Sequence, residues 1–131
     1  EFRRVRCRKN AKPLAPGLGH LRIALSESFY IGPGRADLMA LIAETGSISE
    51  AARRMGMSYK RAWSLVQALN DGFGAPLIET ARGGKEQGAS LTPAGRELLE
   101  RYRGMQAATR HAIARDVDAL LALQADISER K

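Results

Sequence analysis

The sequence is poor in the residues from which most catalytic and metal sites are built. It holds one cysteine, Cys7, and two histidines, His20 and His111, far apart in the chain. A single cysteine excludes an intrachain disulfide and fits a reducing cytoplasm. With no second cysteine to complete a zinc-type ligand set, each histidine reads as a surface or interface residue, and no metal or cofactor is expected within the chain. Aromatics are also scarce, at one Trp, three Tyr and three Phe, which leaves the core to aliphatic side chains. No apolar run approaches the ~20 residues of a membrane span, and no signal peptide is visible. The expectation is a cytoplasmic protein without a membrane partner. A His–Cys–Asp constellation, a nucleophile motif and a glycine-flanked acidic pair are all missing, which speaks against an enzyme. The chain opens on Glu1 rather than Met, so a trimmed or tagged chain lacking residues upstream is expected.

The 131 residues leave room for one domain, or for one domain plus a long extra helix. A net charge of +7 suggests a nucleic-acid partner, and its distribution says more than its size. Residues 1–12 carry Arg3, Arg4, Arg6, Arg8, Lys9 and Lys12 against Glu1 alone. Residues 53–85 carry Arg53, Arg54, Lys60, Arg61, Arg82 and Lys85 against Asp71 and Glu79. The first segment, followed by Pro13, Pro16, Gly17 and Gly19, is expected to be a disordered basic arm over residues 1–18. It is either an arm for a polyanion or a solvated terminus.

The second basic segment lies within the most informative stretch, Gly46-Ser-Ile-Ser-Glu-Ala-Ala-Arg-Arg-Met-Gly-Met-Ser-Tyr-Lys-Arg-Ala-Trp63. Ser47 and Glu50 have the spacing of a capping box, which starts a helix at Ser47. Ala52 is small enough for a second helix to cross closely, Gly56 can take a left-handed turn, and Ser58 can cap the helix that follows. This is the spacing of a helix-turn-helix, a unit that presents its second helix to the major groove of DNA.

Around it, Leu21, Ile23 and Leu25 alternate with smaller or polar residues as in a half-buried strand. A helix follows Gly32-Pro-Gly34, carries Leu38, Leu41 and Ile42 on one face, and ends at Gly46. The second helix of the motif is expected from Tyr59 to about Asp71, stopped by Gly72-Phe-Gly74 and Pro76. Leu77–Thr80 and Ser90–Thr92 form a hairpin with a glycine-rich tip, a wing that residues 21–25 could extend to a three-stranded sheet. Thr92-Pro93 opens a last helix with an apolar stripe through Leu98, Tyr102, Met105, Ile113, Val117 and Leu121. If continuous it reaches ~50 Å and must pack partly on another chain; the alternative is a break near Gly104 or Arg110 that folds the end back. The fold expected is mainly α with a small β-sheet: a winged helix-turn-helix over residues 19–92, then a C-terminal dimerisation helix over 93–131.

On a helical wheel Ala62, Leu65, Val66 and Leu69 form the buried side of the second helix, and Lys60, Ser64 and Gln67 point away from it. Lys60 and Arg61 can donate to phosphates or to guanine, and Gln67 suits adenine. Ser58 and Tyr59 can meet a phosphate or a thymine methyl. Arg82 and Lys85 on the wing would reach the backbone or the flanking minor groove. These eight residues are the expected DNA-binding set. Trp63 packs in the core or touches bases, and its position alone does not decide which. A nucleotide-cradling reading of Gly83-Gly84-Lys85 fails because Glu86 stands where Ser or Thr is required and no G-x-x-x-x-G frames the lysine.

With the wing and Trp63 placed, residues 20 to 106 resemble the N-terminal domain of the ModE family of molybdate-responsive regulators, a winged helix akin to the LysR-type DNA-binding domain. The resemblance is carried by Gly46-Ser-Ile-Ser-Glu-Ala-Ala, Met57-Ser-Tyr-Lys-Arg-Ala-Trp63, Asn70, Pro76-Leu77, Gly83-Gly84-Lys85 and Leu91-Thr-Pro-Ala-Gly95. It implies a homodimer, joined through its first and last helices, that binds a pseudo-palindromic operator in double-stranded DNA and usually represses transcription. Two departures stand out. Glu86-Gln87 interrupts the glycine run usual in the family's wing, and the chain stops at Lys131 without the family's molybdate-binding domains. Molybdenum therefore enters by kinship only, and no oxyanion site is assigned to these residues. The competing function is a winged-helix interaction module that pairs with another regulator and does not itself bind DNA; the basic outward face of residues 58–67 is what such a module would not require.

Overall fold

A computed structural model describes residues 15–81 and 88–130. Its elements run β1 (Ile23–Ala24), β2 (Tyr30–Ile31), α1 (Pro33–Thr45), α2 (Ile48–Arg54), α3 (Tyr59–Phe73), β3 (Ile78–Ala81), β4 (Gly88–Leu91) and α4 (Pro93–Glu129). The basic segment up to residue 14, Cys7 included, and the wing tip at 82–87, which holds Arg82 and Lys85, lie outside the described residues.

One aliphatic core joins these elements. Helix α1 runs through its middle, with Ala36, Leu38, Met39 and Ile42 fully buried. Ala51 and Ala52 of α2, Ala62, Val66 and Leu69 of α3, Leu77 and Ile78 before and in β3, and Leu91 of β4 close around it. Among the described residues no helix is long and apolar enough to cross a membrane.

The helix ends follow the local chemistry. Ser47 Oγ accepts from the Glu50 N–H at 3.0 Å and Ser58 Oγ accepts from the Arg61 N–H at 3.1 Å, so both helices of the motif are capped at the expected residues. Only half of the capping box forms. The Ser47 N–H donates to Thr45 Oγ1 at 3.2 Å, and Glu50 turns instead to Arg53 and Arg54. At the end of α2, Met57 N donates to Ala52 O and Gly56 N to Arg53 O, with Gly56 at φ 67°. That is the paired closure a left-handed residue allows, and it fixes the crossing of α2 and α3. Ala52 is 2% exposed at this crossing. Ala52→Leu is expected to cost ~1–3 kcal/mol through overpacking, read as a lower denaturation midpoint; an unchanged midpoint would show the crossing to be looser than its burial indicates.

Two sequence expectations are corrected. Residues 21–25 do not extend the wing sheet. The two sheets are separate antiparallel pairs, β1 with β2 (Ile23 opposite Ile31) and β3 with β4 (Ile78 opposite Leu91). The reason is local: Leu25 N bonds Phe29 O at 3.0 Å, folding the chain back, and Phe29 anchors the turn at the far end of α3. Its ring meets Phe73 edge-on at 5.5 Å, and Gly72 leaves it room, since a Cβ there would lie 3.1 Å from Phe29 Cδ1. Helix α3 also runs on to Phe73 and stops only at Gly74, φ 84°. The last helix is continuous, as the leading expectation had it, and the alternative of a break near Gly104 or Arg110 falls: α4 runs unbroken over 37 residues. One interior glycine costs only ~1 kcal/mol of helix propensity, too little to overcome the turns on either side.

Tyr102 roots α4. It is fully buried, and its hydroxyl donates to Leu21 O at 2.6 Å, which ties the long helix to the chain entering β1. Beyond Gln106 no residue of α4 is buried, and Leu120, Leu121, Leu123 and Ile127 are 41–63% exposed.

Candidate nucleic-acid interface

Helix α3 alternates small and aliphatic residues on one side with polar ones on the other. Ala62, Val66 and Leu69 are buried, and that pattern rotates the rest outward. Ser58, Tyr59, Lys60, Arg61, Ser64 and Gln67 are all exposed. Lys60, Ser64 and Gln67, one turn apart, form a single ridge along the helix, with Arg61 on one flank and Tyr59 on the other. Five of the eight expected residues are thus brought onto α3, with Ser58 at its N-cap. Arg82 and Lys85 belong to the wing tip, outside the described residues.

The wing is held to this helix by a tether that sequence periodicity does not reveal. Asn70, on α3, accepts from the N–H groups of Leu77 (2.8 Å) and Ile78 (3.1 Å) through Oδ1, and donates from Nδ2 to Ile78 O at 2.9 Å. The side chain acts as a short neighbouring strand. From the other side Ala89 N donates to Gly46 O at 2.9 Å, locking β4 to the turn between α1 and α2. Thr92 completes the frame: it caps α4 by accepting from Gly95 N at 3.0 Å while its hydroxyl donates to Pro76 O at 2.7 Å.

The cations of the motif are not equivalent. Arg53 forms a two-point pair with Glu50, and Arg54 is shared between Glu50 and Glu44, 2.6 Å from the latter. Hydrogen bonding from Arg53, reinforced by Arg54 against a desolvation effect, holds the Glu50 carboxyl at about 2. This depressed value keeps the cluster intact at neutral pH; its contribution is lost progressively as the pH falls from the ordinary carboxylate value of 4.5 towards about 2. Lys60 and Arg61 form no ion pair among the described residues. The uncommitted positive charge of the described motif therefore sits at the start of α3.

Trp63 falls between the two alternatives open to it. It is 36% exposed and stacks on Tyr59, centroids 6.5 Å apart and planes 21° apart. The sequence placed it on the correct flank but could not show that its neighbours across space are small.

Residues 36–96 match the model of the bacterial regulatory helix-turn-helix proteins of the lysR family. The chain is 50% identical over 78 residues to the molybdenum-pterin-binding protein MopB of Rhodobacter capsulatus, a match covering 59% of this chain and 29% of MopB. It is 37% identical over 105 residues to MopA of the same organism, covering 79% of this chain and 38% of MopA. To the DNA-binding transcriptional dual regulator ModE of Escherichia coli K12 it is 39% identical over 83 residues, covering 63% and 32%. The chain thus spans less than two fifths of the length of these relatives. Among solved structures, the complex of the CbnR DNA-binding domain with DNA aligns with 66% of this chain and 95% of that one, at 28% identity and a TM-score of 0.53. The helices and hairpin described above are a winged helix of that type.

Proposed function

We propose that the chain, whose residues 36–96 match the lysR-family helix-turn-helix model, is a sequence-specific DNA-binding transcriptional regulator of the ModE type, acting as a repressor in molybdenum metabolism. One observation carries the reading: Lys60, Ser64 and Gln67 stand exposed in line on α3, beside a cationic helix start that no carboxylate of the described residues neutralises. A ridge of donors and mixed donor–acceptors, held rigid by two caps and a closed turn, is the chemistry needed to read base edges in a major groove.

In this reading residues 19–92 bind DNA. Lys60 and Arg61 donate to phosphate or guanine, Gln67 pairs with adenine, Ser58, Tyr59 and Ser64 complete the contact, and Arg82 and Lys85 reach the flanking backbone. The basic segment 1–18 adds attraction to phosphates. Residues 93–131 join two copies into a cytoplasmic homodimer, whose recognition helices engage half-sites one duplex turn, ~34 Å, or a multiple of that apart. The molybdenum link is supported by the names of the relatives and by nothing in the described residues.

The test is selection of bound sites from random DNA by the purified chain, with and without molybdate. A pseudo-palindromic site is expected. Lys60→Ala should then weaken binding to that site by about tenfold or more, as expected for a direct base or phosphate donor. Arg82→Ala should lower the slope of log affinity against log salt by about one phosphate contact. No selected site, or titrations in which both variants match the parent, would overturn the reading; heterodimers without DNA affinity would establish the interaction module in its place.

A further inference from the structure

Resting on that DNA-binding reading, we propose that Tyr59 and Trp63 form an apolar reading surface for thymine methyl groups, alongside the polar ridge of α3. The two residues are one turn apart on the flank of the helix that faces the wing. Their rings stack, yet Tyr59 remains 51% and Trp63 36% exposed. What lies opposite explains why. The rings line a groove of about 250 Å³ whose other wall is the start of α2, Ser47, Ile48 and Ser49, and the wing residues Thr80, Ala81, Gly88 and Ala89. Ile48 is itself turned into the core, 6% exposed, and the other side chains are too small to cover an indole, so among the described residues the two stacked rings keep exposed surface.

Core duty does not account for this placement. The buried aromatics, Phe29 and Tyr102, are 2% and 0% exposed, and the Tyr102 hydroxyl has a firm acceptor. Neither the Tyr59 hydroxyl nor the Trp63 indole N–H has a hydrogen-bond partner among the described residues. The occupant is indicated by position. Lys60 and Ser64, the neighbours in sequence, stand on the outward ridge, so whatever meets that ridge also meets the ring edges. On the major-groove edge of a base pair the one apolar group is the thymine C5-methyl. A stacked aromatic pair beside hydrogen-bonding side chains therefore distinguishes thymine by removing that methyl from water. Burying one methyl, ~0.8 kcal/mol, corresponds to about fourfold in affinity.

The experiment uses the full chain and the duplex it selects from random DNA, with each thymine in turn replaced by deoxyuridine, which removes only the methyl. The unmodified chain should lose about fourfold at one or two positions per half-site. In Trp63→Ala that sensitivity should vanish while the salt slope stays that of the parent, because no phosphate contact is lost. If the Trp63 variant fails to fold, Tyr59→Ala is read by its deoxyuridine sensitivity alone, which should likewise vanish, because the Tyr59 hydroxyl can also meet a phosphate. Trp63 is the chain's single tryptophan, so its fluorescence should change when the duplex saturates. Affinity indifferent to every deoxyuridine, or a loss undiminished in both variants, overturns the proposal and leaves DNA binding intact. A groove that contacts sugars rather than bases would show as weaker binding by the variants without methyl dependence, which also overturns it. If no duplex is bound at all, the DNA-binding reading falls first.

Discussion

Gly95→Ala should lower the stability of the protein by about 3 kcal/mol or more, at or beyond the upper end for an overpacked core, and the melting temperature by about 10 °C. Helix propensity argues the other way: Gly95 lies in the first turn of α4, where alanine ordinarily gains ~1 kcal/mol over glycine. Steric contact decides the sign. A Cβ at Gly95 would lie 2.1 Å from the Leu77 carbonyl oxygen and 3.0 Å from its carbon. Leu77 cannot step aside. Its N–H is held by Asn70, its carbonyl accepts from Thr92 N at 2.9 Å, and its side chain is fully buried. The matching control is Gly104→Ala in the same helix, where a Cβ meets nothing within 4 Å. That change should raise stability by ~0.5–1 kcal/mol. Calorimetric melting of both variants checks the pair, and a rise in both would mean that α4 and β3 are not held together as tightly as their spacing implies.

Asn70→Ala should cost a comparable ~3 kcal/mol and detach the wing from α3. The substitution removes one amide and leaves three backbone groups, Leu77 N, Ile78 N and Ile78 O, without their partner. Leu77 and Ile78 are 0% and 2% exposed, so water cannot readily replace it, and each buried orphan costs ~1–3 kcal/mol. Amide exchange should show the effect at its source: the Leu77 and Ile78 N–H groups should lose protection while those inside α1 keep theirs. Equal protection at all of these sites would mean that the amide tether is replaceable.

Much of this architecture is legible in the residues themselves. Ala52, Gly56, Ser47 and Ser58 specify the crossing and caps of the motif because each answers a local steric or hydrogen-bonding demand. Thr92-Pro93 does the same for the start of α4. Where the decision is made across space, the sequence is silent. The Tyr30–Ile31 strand is too short to show a period, and its partner is chosen by Phe29 settling against Phe73. The continuity of α4 could not be told from a break at Gly104, since one glycine permits both. Asn70 looks like any polar residue of an exposed helix face until Leu77 and Ile78 arrive beside it. Glu50 had the spacing to reach back to Ser47, but two following arginines offered it stronger donors. The openness of Trp63 depends on alanine and glycine in the wing strands, far along the chain. The outward set on α3 was legible for the opposite reason: a 3.6-residue period with four apolar positions leaves only one way for Lys60, Ser64 and Gln67 to face.

The unbroken run of α4 gives the molecule a mechanical property. A 37-residue helix is about 55 Å long, and its buried residues, Gly95, Tyr102 and Gln106, all lie near its root. It therefore works as a lever, in which a five-degree pivot at the root sweeps the far end by roughly 5 Å, about one helical turn. Because Thr92 and Leu77 join that root to the wing strand in the same few bonds, a displacement of the root is passed directly to β3.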